Sequence, residues 1–578
     1  MNWSAELRLV KTSGMKFLRW FLLVGGVTAV FFIPVLQGGF LHWDDHALFV
    51  ENPYFRGLGA AHWRWMCTTF LLGHWQPLSW LSYSLDYRIW MLNPQAWHVT
   101  SLLIHLFNAV LIYRLCLYCV KENEFSYSSA VLAALFWAVH PLRVETVTWL
   151  ATRGYLLCTT FCLLCVFFYI RDAEQKRYPL VALLCFALAT VTKGIGMMLP
   201  PVLLILDWLV LRRMDSLKSA ARCVAVKIPF FTLSLLTGIT AFLAKKQNGG
   251  MAPVEQYGLV ERAGQAVYGI WFYLFKTISP IGLSPVYYKR PEEGAVMVAV
   301  MLAGSAAVFL FLFRRKLRPV IGTLGAFLLL IFPMLGFTQS GAQIFADRFT
   351  YLASVPFSIL LAAGLSRLII VRRTVLAAMA VILLIFGVRT FIWSEVWSDS
   401  LLLWHQSVAE NGGDPRAYNG IGQALMDRKA YEKAIEYYDK ALAIDSRFLA
   451  AYQNRALALS AVGQYERAFQ DISTALLLEG IVPTDRAKML LGRGQIAEKL
   501  GWNDLALADY NLVMGNPEFD PFWRTLALQV RAKLYLTQGR LNEGKADLEE
   551  VLKQFDPSDE HHRNVQTVLD GIKKIPGE

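Results

Sequence analysis

The chain has 578 residues, of which 55% are hydrophobic and 13% aromatic, and its formal net charge is +12. Its mean hydropathy of +0.39 is unusual for a soluble protein of this length. Long apolar runs fill residues 17–393, whereas 397–578 has the composition of a soluble helical protein. No basic stripe with interleaved aromatic residues is present, so the positive charge is expected to orient membrane helices and not to bind nucleic acid.

Eleven apolar segments approach the length of about 20 residues that a membrane-spanning helix needs. They are 17–38, 99–119, 127–140, 153–170, 179–192, 197–211, 228–244, 295–313, 319–337, 350–366 and 374–393. A further stretch, 264–281, is interrupted by Lys276 and Pro280 and is predicted to be re-entrant or interfacial. The predicted fold class is all-α, a polytopic helix bundle with about 11 crossings plus this segment.

Basic residues predict the orientation of the bundle. Arg8, Lys11, Lys16 and Arg19 precede the first span, opposed only by Glu6. Because positive loops stay cytoplasmic, the N-terminus is predicted inside, together with the basic loops near 211–227, 314–318 and 367–373. This arrangement places residues 39–98 and the C-terminal region on the non-cytoplasmic side.

The C-terminal region contains an internal repeat of 34 residues. Tyr418, Gly422, Ala434 and Ala441 recur as Tyr452, Ala456, Ala468 and Ala475. Small residues at this spacing are typical of tetratricopeptide repeats, which stack into an α-solenoid whose concave face can bind extended peptide. Weaker copies bring the total to about four repeats in 414–578. A stabilising cap or an oligomerisation module is the alternative interpretation of this region.

Polar groups at span ends are the first place to look for function in a membrane protein. Asp44 and Asp45 directly follow the first span. Like-charge repulsion and low dielectric raise carboxyl pKa values, which suits a general base. A helix cap or a solvated turn is the alternative reading of the pair.

Other polar residues fall on the same predicted side: the cations Arg143, Arg153, Lys193, Lys276 and Arg348, and the groups His74, His98, His140, Glu145 and Asp347. Fixed cations can hold a phosphate, although arginine and glutamate can also simply pair with each other. Hydrogen bonding between helices is the alternative role for the histidines. Motifs of soluble nucleotide-binding, metalloprotease and serine-hydrolase enzymes are absent from the sequence.

Several motifs in order resemble the transmembrane and tetratricopeptide-repeat-containing O-mannosyltransferases and their bacterial relatives, within the GT-C glycosyltransferase superfamily. They are WDD at 43–45, HWQPLSWLSYSLDY at 74–87, WHVTSLLIHLFNA at 97–109, HPLRVETVTWLATR at 140–153, YLFKTISP at 273–280 and ADRFTYL at 346–352. The small number of repeats favours a bacterial type. The implied domains are a GT-C-like transmembrane glycosyltransferase domain (1–396), a connecting helix (397–413) and the repeat domain (414–578).

The resemblance implies an inverting transfer of a sugar, with mannose by analogy, from a polyprenyl-phosphate donor to an acceptor hydroxyl. Asp44 or Asp45 would be the base. Arg143, Arg153, Lys193, Lys276 and Arg348 are candidates for the donor phosphate, and His74, His98, His140, Glu145 and Asp347 are candidates for orienting groups or for the acceptor side. No obligatory cofactor is expected. Two carboxylates beside a phosphate could take a divalent metal, but the ligand set is thin and no metal site is predicted.

The expected partners are a lipid-linked donor and a polypeptide acceptor bound through the repeats. The expected location is the bacterial inner membrane, with the first loop and the repeats in the periplasm. Transfer to a lipid or surface glycan, and a non-catalytic membrane scaffold, are the alternatives. A transporter is disfavoured because the spans show no internal repeat and no paired discontinuous helices.

Overall fold

The computed structural model of the chain describes residues 19–120, 126–248, 258–287, 291–337, 343–367, 372–553 and 560–572. Arg8, Lys11 and Lys16, on which the predicted orientation depends, lie outside these ranges. Two compact units are present, Met1–Asn411 and Gly412–Glu578. We refer to them as the membrane unit and the repeat unit.

The membrane unit is built from helices. In chain order they are α1 (Arg19–Phe31), α2 (Ala60–Thr68), α3 (Pro77–Trp90), α4 (Pro94–Cys119), α5 (Ser126–Ala138), α6 (Val144–Thr148), α7 (Arg153–Glu174), α8 (Leu180–Thr192), α9 (Leu199–Leu209), α10 (Leu217–Val226), α11 (Ile228–Gln247), α12 (Leu259–Ile278), α13 (Glu293–Leu312), α14 (Arg318–Ile331), α15 (Thr350–Ala353), α16 (Val355–Leu365), α17 (Arg372–Val396) and α18 (Ser400–Asn411). Among the described residues, extended backbone pairs only at one isolated bridge, between Tyr287 and Phe345.

Each of the eleven predicted spans corresponds to one helix or one bent helix pair. Within the described residues, five helices are long and apolar enough to cross a membrane: α4, α7 with its lead-in from Leu150, α11, α13 and α17. Two pairs, α5 with the segment Pro141–Thr148 and Asp347–Ala353 with α16, are bent by 56° and 54°. The other four are shorter apolar helices, so the number of crossings stays a prediction.

The segment predicted to be re-entrant or interfacial forms the single helix α12, which runs unbroken for 20 residues. It ends just before Pro280, whose ring and missing N–H cannot continue a helix. Trp271 Nε1 donates to the carbonyl of Ala299 in α13 at 3.0 Å. The helix therefore does not turn back on itself, and its position at the membrane surface stays a prediction.

The repeat unit contains four successive helix pairs and a further helix. They are α19 (Pro415–Asp427) with α20 (Tyr431–Ile444), α21 (Leu449–Ala461) with α22 (Tyr465–Leu476), α23 (Pro483–Lys499) with α24 (Asn503–Gly515), and α25 (Pro521–Thr537) with α26 (Leu541–Leu552), followed by α27 (Glu560–Ile572). The first helix of a pair lengthens from 13 residues in α21 to 17 in α23. This longer helix is the insertion that weakens the sequence pattern after the second repeat.

An arginine ladder joins the last three helix pairs. Its members are the bidentate pairs Arg455–Asp471, Arg493–Asp509 and Arg531–Asp547, each 16 residues apart. Arg455 also reaches Asp439 of the preceding pair at 2.5 Å, and Arg493 reaches Ser473 at 3.3 Å. The bidentate arginine–carboxylate contacts fix the orientation of the two helices within each pair, and the contacts to Asp439 and Ser473 join each pair to the one before it.

Substitution of two glycines of α23 by alanine is expected to have opposite effects on the stability of the repeat unit. A methyl group on Gly494 would lie 2.5 Å from Cε1 of Tyr510, whereas one on Gly492 would meet nothing within 4 Å. Gly494→Ala is expected to destabilise the unit by about 1–3 kcal/mol through overpacking. Gly492→Ala is expected to stabilise it by up to about 1 kcal/mol through helix propensity.

Hydrogen–deuterium exchange of the full chain in detergent measures both effects in α23 and α24. Exchange should become faster with Gly494→Ala and unchanged or slower with Gly492→Ala. Equal exchange in the two variants would contradict the close packing of these helices.

Candidate active site

Asp45 is a buried structural acceptor. Its Oδ2 accepts a hydrogen bond from the backbone N–H of Leu41 at 3.1 Å, and its Oδ1 accepts one from that of Ala151 at 3.0 Å. Burial raises the pKa of this carboxyl to about 7, and the two backbone hydrogen bonds oppose that rise. Asp45 therefore ties the loop after α1 to the loop before α7.

Asp44 is in a different environment. Its side chain is partly exposed, and in the described part of the chain no hydrogen bond or ion pair engages its carboxylate. Burial raises its pKa, while the charges of Arg348, Lys193 and Lys245 lower it. Of the adjacent pair, only Asp44 is free to take a proton from a bound molecule.

His74 faces the same three cations. Burial first, and then the charges of Lys193, Lys245 and Arg348, hold the pKa of His74 well below its usual value. The imidazole is therefore neutral at neutral pH. It can accept a hydrogen bond on one ring nitrogen and donate on the other.

Lys245 was not among the residues predicted from the sequence. It lies near the end of α11, over the turn at Gly73, where an added methyl group would be 3.2 Å from its Cδ and 3.5 Å from its Nζ. Gly73 has a φ of +72°, which favours glycine. The signal was a lysine pair, Lys245 and Lys246, just after the apolar segment 228–244 on the predicted external side.

Lys193 approaches the site from the turn between α8 and α9. Its Nζ donates to Oε1 of Gln76 at 3.1 Å, and it lies 5.4 Å from the centre of the Tyr155 ring. Gly154 permits this approach, because an added methyl group would lie 3.4 Å from Cδ of Lys193. Lys193 has no carboxylate partner among the described residues.

Arg348 completes the group of cations. Its side chain forms an ion pair with Glu145, and its backbone N–H donates to Oε2 of Glu145 at 2.8 Å. The guanidinium lies 5.3 Å from the centre of the Trp149 ring, on which Trp43 stacks at 4.4 Å. Glu145 offsets one charge, so the cations outnumber the carboxylates around Asp44.

Two predicted phosphate ligands make hydrogen bonds inside the protein, although Nε of Arg143 has no hydrogen-bond partner among the described residues. Arg143 donates to the carbonyl of Thr350 at 2.9 Å and to its Oγ1 at 3.1 Å. Arg153 pairs with Asp86 at 2.5 Å and also donates to the carbonyl of Trp97 at 2.8 Å. Both arginines are buried and hold helices together.

Lys276 is likewise used inside the protein. Its Nζ donates to the carbonyl of Gly282 at 2.7 Å and to that of Ile281. Asp347 is buried near Lys276, Arg143 and Glu145, and its Oδ1 has no hydrogen-bond partner among the described residues. These two residues lie beside the Arg348–Glu145 pair and are not among the charges that act on Asp44.

The remaining predicted histidines have structural positions. His140 Nε2 lies 2.9 Å from the carbonyl of Thr277, and its Nδ1 accepts from the N–H of Leu142 at 3.2 Å. His98 is buried against Gly38, where an added methyl group would lie 2.6 Å from its Nε2. Neither histidine lies among the charged groups around Asp44.

The structure thus brings Asp44, His74, Lys193 and Arg348 together with Lys245. A partly exposed carboxylate with a raised pKa and an excess of cations suit the binding of an anion and the removal of a proton beside it. The fold and this site define a polytopic helical membrane protein that combines a base–cation centre with a separate repeat unit.

Comparison with known proteins identifies both units. Residues 95–237 match the family described as dolichyl-phosphate-mannose-protein mannosyltransferase, and residues 415–448 match the tetratricopeptide repeat. Protein O-mannosyl-transferase Tmtc3 of Drosophila melanogaster is 23% identical over 68% of this chain and 51% of its own length. Protein O-mannosyl-transferase F38B6.6 of Caenorhabditis elegans is 22% identical over 72% of this chain and 62% of its own length.

The chain spans about half to three-fifths of the length of these relatives. Among solved structures, YrrB, a TPR protein with an unusual peptide-binding site, is 22% identical with a TM-score of 0.24, over 30% of this chain and 84% of its own. The chain is therefore similar to protein O-mannosyl-transferases over about two thirds of its length, and residues 415–448 are similar to a tetratricopeptide repeat.

The two aspartates are expected to respond differently to removal of their charge. Asp45→Asn places an amide where two backbone N–H groups need acceptors, so one donor is left unpaired. The expected cost is about 1–3 kcal/mol of stability. Asp44→Asn breaks no hydrogen bond and should leave stability unchanged.

Thermal unfolding of the full chain in detergent, followed by tryptophan fluorescence, distinguishes the pair. The midpoint should fall for Asp45→Asn and stay at the wild-type value for Asp44→Asn. Equal midpoints for the two variants would remove the structural role assigned to Asp45.

Proposed function

We propose that the chain transfers a sugar, with mannose as the first candidate, from a polyprenyl-phosphate donor to a hydroxyl of a protein acceptor. The observation that carries the proposal is the free Asp44 carboxylate beside Lys193, Lys245 and Arg348. The similarity to proteins named O-mannosyl-transferases supports mannose and a protein acceptor.

Asp44 is the general base of the proposed step. It takes the proton of the acceptor hydroxyl, whose oxygen then forms a bond to the anomeric carbon. The bond from that carbon to the phosphate oxygen breaks, and the lipid phosphate leaves with the electron pair. Attack from the side opposite to the leaving group inverts the anomeric configuration.

Lys193, Lys245 and Arg348 stabilise the departing phosphate. Fixed cations in a partly dehydrated site stabilise developing negative charge without reorganising. Their charges also keep Asp44 ionised, because each of them lowers its raised pKa. Neutral His74 can orient a donor or acceptor hydroxyl. The same three cations disfavour a divalent metal at Asp44, and the proposed step needs none.

An apolar groove supports a long-chain lipid donor. It has a volume of about 510 Å³ and is lined by Met197 and Met198 on one side and by Phe231, Leu235, Gly238, Ile239 and Phe242 of α11 on the other. Lys193 directly precedes the short helix Gly194–Met198, which contributes the two methionines. Lys245 lies about one helical turn beyond Phe242 on α11. A polyprenyl chain lying in this groove would present its phosphate to the two lysines.

The repeat unit is proposed to bind the polypeptide acceptor or a protein partner. Both the repeat unit and the site would lie on the non-cytoplasmic side, which is the periplasm if the source is bacterial. The positive-inside distribution supports this orientation.

Asp44→Asn tests the proposed base. Losing a general base typically costs a factor of about 10²–10⁴ in rate. The assay supplies radiolabelled polyprenyl-phosphate mannose and a membrane extract to the full chain in nanodiscs. Asp215→Asn, which removes an exposed carboxylate elsewhere, is the control and should keep wild-type activity.

The pH dependence gives a second readout of the same base. Asp44 must be ionised to act, so kcat/KM should fall as the pH drops through its pKa. Because burial raises that pKa, the acid limb should lie above the ordinary aspartate value of about 4. Full transfer activity in Asp44→Asn would refute the assignment of Asp44 as the general base. Label found in lipid or glycan would show that the acceptor is not a protein.

Lys245→Met tests the residue that the sequence analysis missed. Losing a charged contact to the phosphate should lower kcat/KM for the donor by about 10- to 100-fold. It should also move the acid limb to higher pH, because one charge that lowers the pKa of Asp44 is gone.

Lys246→Met is the matched control, because Lys246 is the exposed neighbour on the same helix. It should retain both the wild-type rate and the wild-type pH profile. A similar loss in the two variants would indicate a general effect of charge at the membrane surface and would exclude Lys245 from the site.

A further inference from the structure

A buried ionic cluster fixes the end of α11 that lies farthest from the candidate site. Lys227 and Asp207 form a fully buried ion pair, and Tyr169 donates to Oδ2 of Asp207 at 2.8 Å. Arg213 donates to Oδ1 of Asp207 at 2.6 Å and keeps about a third of its side chain exposed. The cluster holds the loop 210–216 and the start of α11 in place.

The helix α10 runs from this loop with an exposed apolar stripe. Leu217 and Val224 have exposed fractions of 92% and 43%, and their separation by two helical turns puts them on one side of the helix. Ile228, the first residue of α11, is also exposed, at 59%. Ser216 caps the helix through the N–H of Ser219 at 3.2 Å. A helix of a membrane protein with an exposed apolar stripe can lie at the boundary between lipid headgroups and acyl chains, with its apolar side toward the acyl chains.

Basic residues flank that stripe and continue onto a second loop. Arg212, Lys218 and Arg222 are exposed around α10, with Asp215 as the exposed acid beside them. Arg314, Arg315 and Lys316 are exposed between α13 and α14. Arg318, the first residue of α14, ties this second loop to the end of α9, because it donates to the carbonyl of Trp208 at 3.1 Å and lies 4.6 Å from the centre of its ring.

The surface lies far from the candidate site. Lys227 and Lys245 are at opposite ends of α11, and a rise of 1.5 Å per residue separates them by about 27 Å. This distance approaches the thickness of a bilayer hydrocarbon core, which is about 30 Å. The basic surface and the candidate site therefore face opposite leaflets.

We propose that α10 and the loop 313–318 form a binding surface for anionic phospholipid headgroups. The apolar stripe enters the interface while the basic residues contact lipid phosphates of the leaflet opposite to the candidate site. Acidic lipids of a cytoplasmic leaflet attract such groups. The proposal does not depend on the sugar-transfer reaction.

Native mass spectrometry of the full chain in a neutral detergent tests the surface. The probes are phosphatidylglycerol and phosphatidylcholine with identical acyl chains. The wild type should retain phosphatidylglycerol at least several-fold more tightly. Lys218→Gln/Arg222→Gln and Arg315→Gln/Lys316→Gln should each weaken that binding by about fivefold per charge removed.

Lys433→Gln/Lys499→Gln is the matched control, since it removes two exposed charges from the repeat unit and should bind lipid like the wild type. Leu217→Ser removes part of the stripe without changing charge, so it should weaken both lipids alike. Equal retention of the two lipids by the wild type would overturn the proposal. So would equal weakening in the control, or displacement of the lipid by inorganic phosphate at constant ionic strength.

Discussion

The candidate site depends on one buried carboxylate, that of Asp45, whose two oxygens both accept backbone hydrogen bonds. Asp45 accepts backbone hydrogen bonds from Leu41 and Ala151, which lie in two loops separated by more than a hundred residues. Buried N–H groups need acceptors, so this contact fixes the distance between the loops. It also fixes the direction of the adjacent Asp44, because the backbone of residues 44 and 45 is then held on both sides. The adjacent carboxylates are tolerated because the nearby cations favour the charged form of Asp44 and the two backbone N–H groups favour that of Asp45.

A second constraint comes from charge. Lys193, Lys245 and Arg348 all act on Asp44 and on His74, and in the described part of the chain only Glu145 forms an ion pair within the group. Buried cations without carboxylates are costly, and an anionic ligand removes that cost. The site is therefore arranged for an anion before one arrives. Arg143 and Arg153 are also buried, and each donates to a backbone carbonyl; Arg153 in addition pairs with Asp86.

Hydrophobic runs and the 34-residue repeat were enough to predict the helical segments and the first repeats, because both signals are local and periodic. The site was predicted less well. Sequence and sidedness placed Arg143, Arg153 and Lys276 with Arg348, since nothing in the sequence reveals which cation finds an acceptor inside the protein. Lys245 was missed because it follows an ordinary apolar segment. Only the approach of α11 to the turn at Gly73 shows that this lysine lies among the site residues.

Helix α11 relates the separate features to one another. Lys227, bound to Asp207, anchors its first end, the apolar groove runs along its middle, and Lys245 lies at its last turn. Because one helix carries all three, the groove lies between its two cationic ends. A lipid whose chain lies in the apolar groove would contact cations only at the end of the groove where its phosphate lies. The proposed lipid-binding surface and the proposed chemistry thus lie toward opposite ends of the same helix.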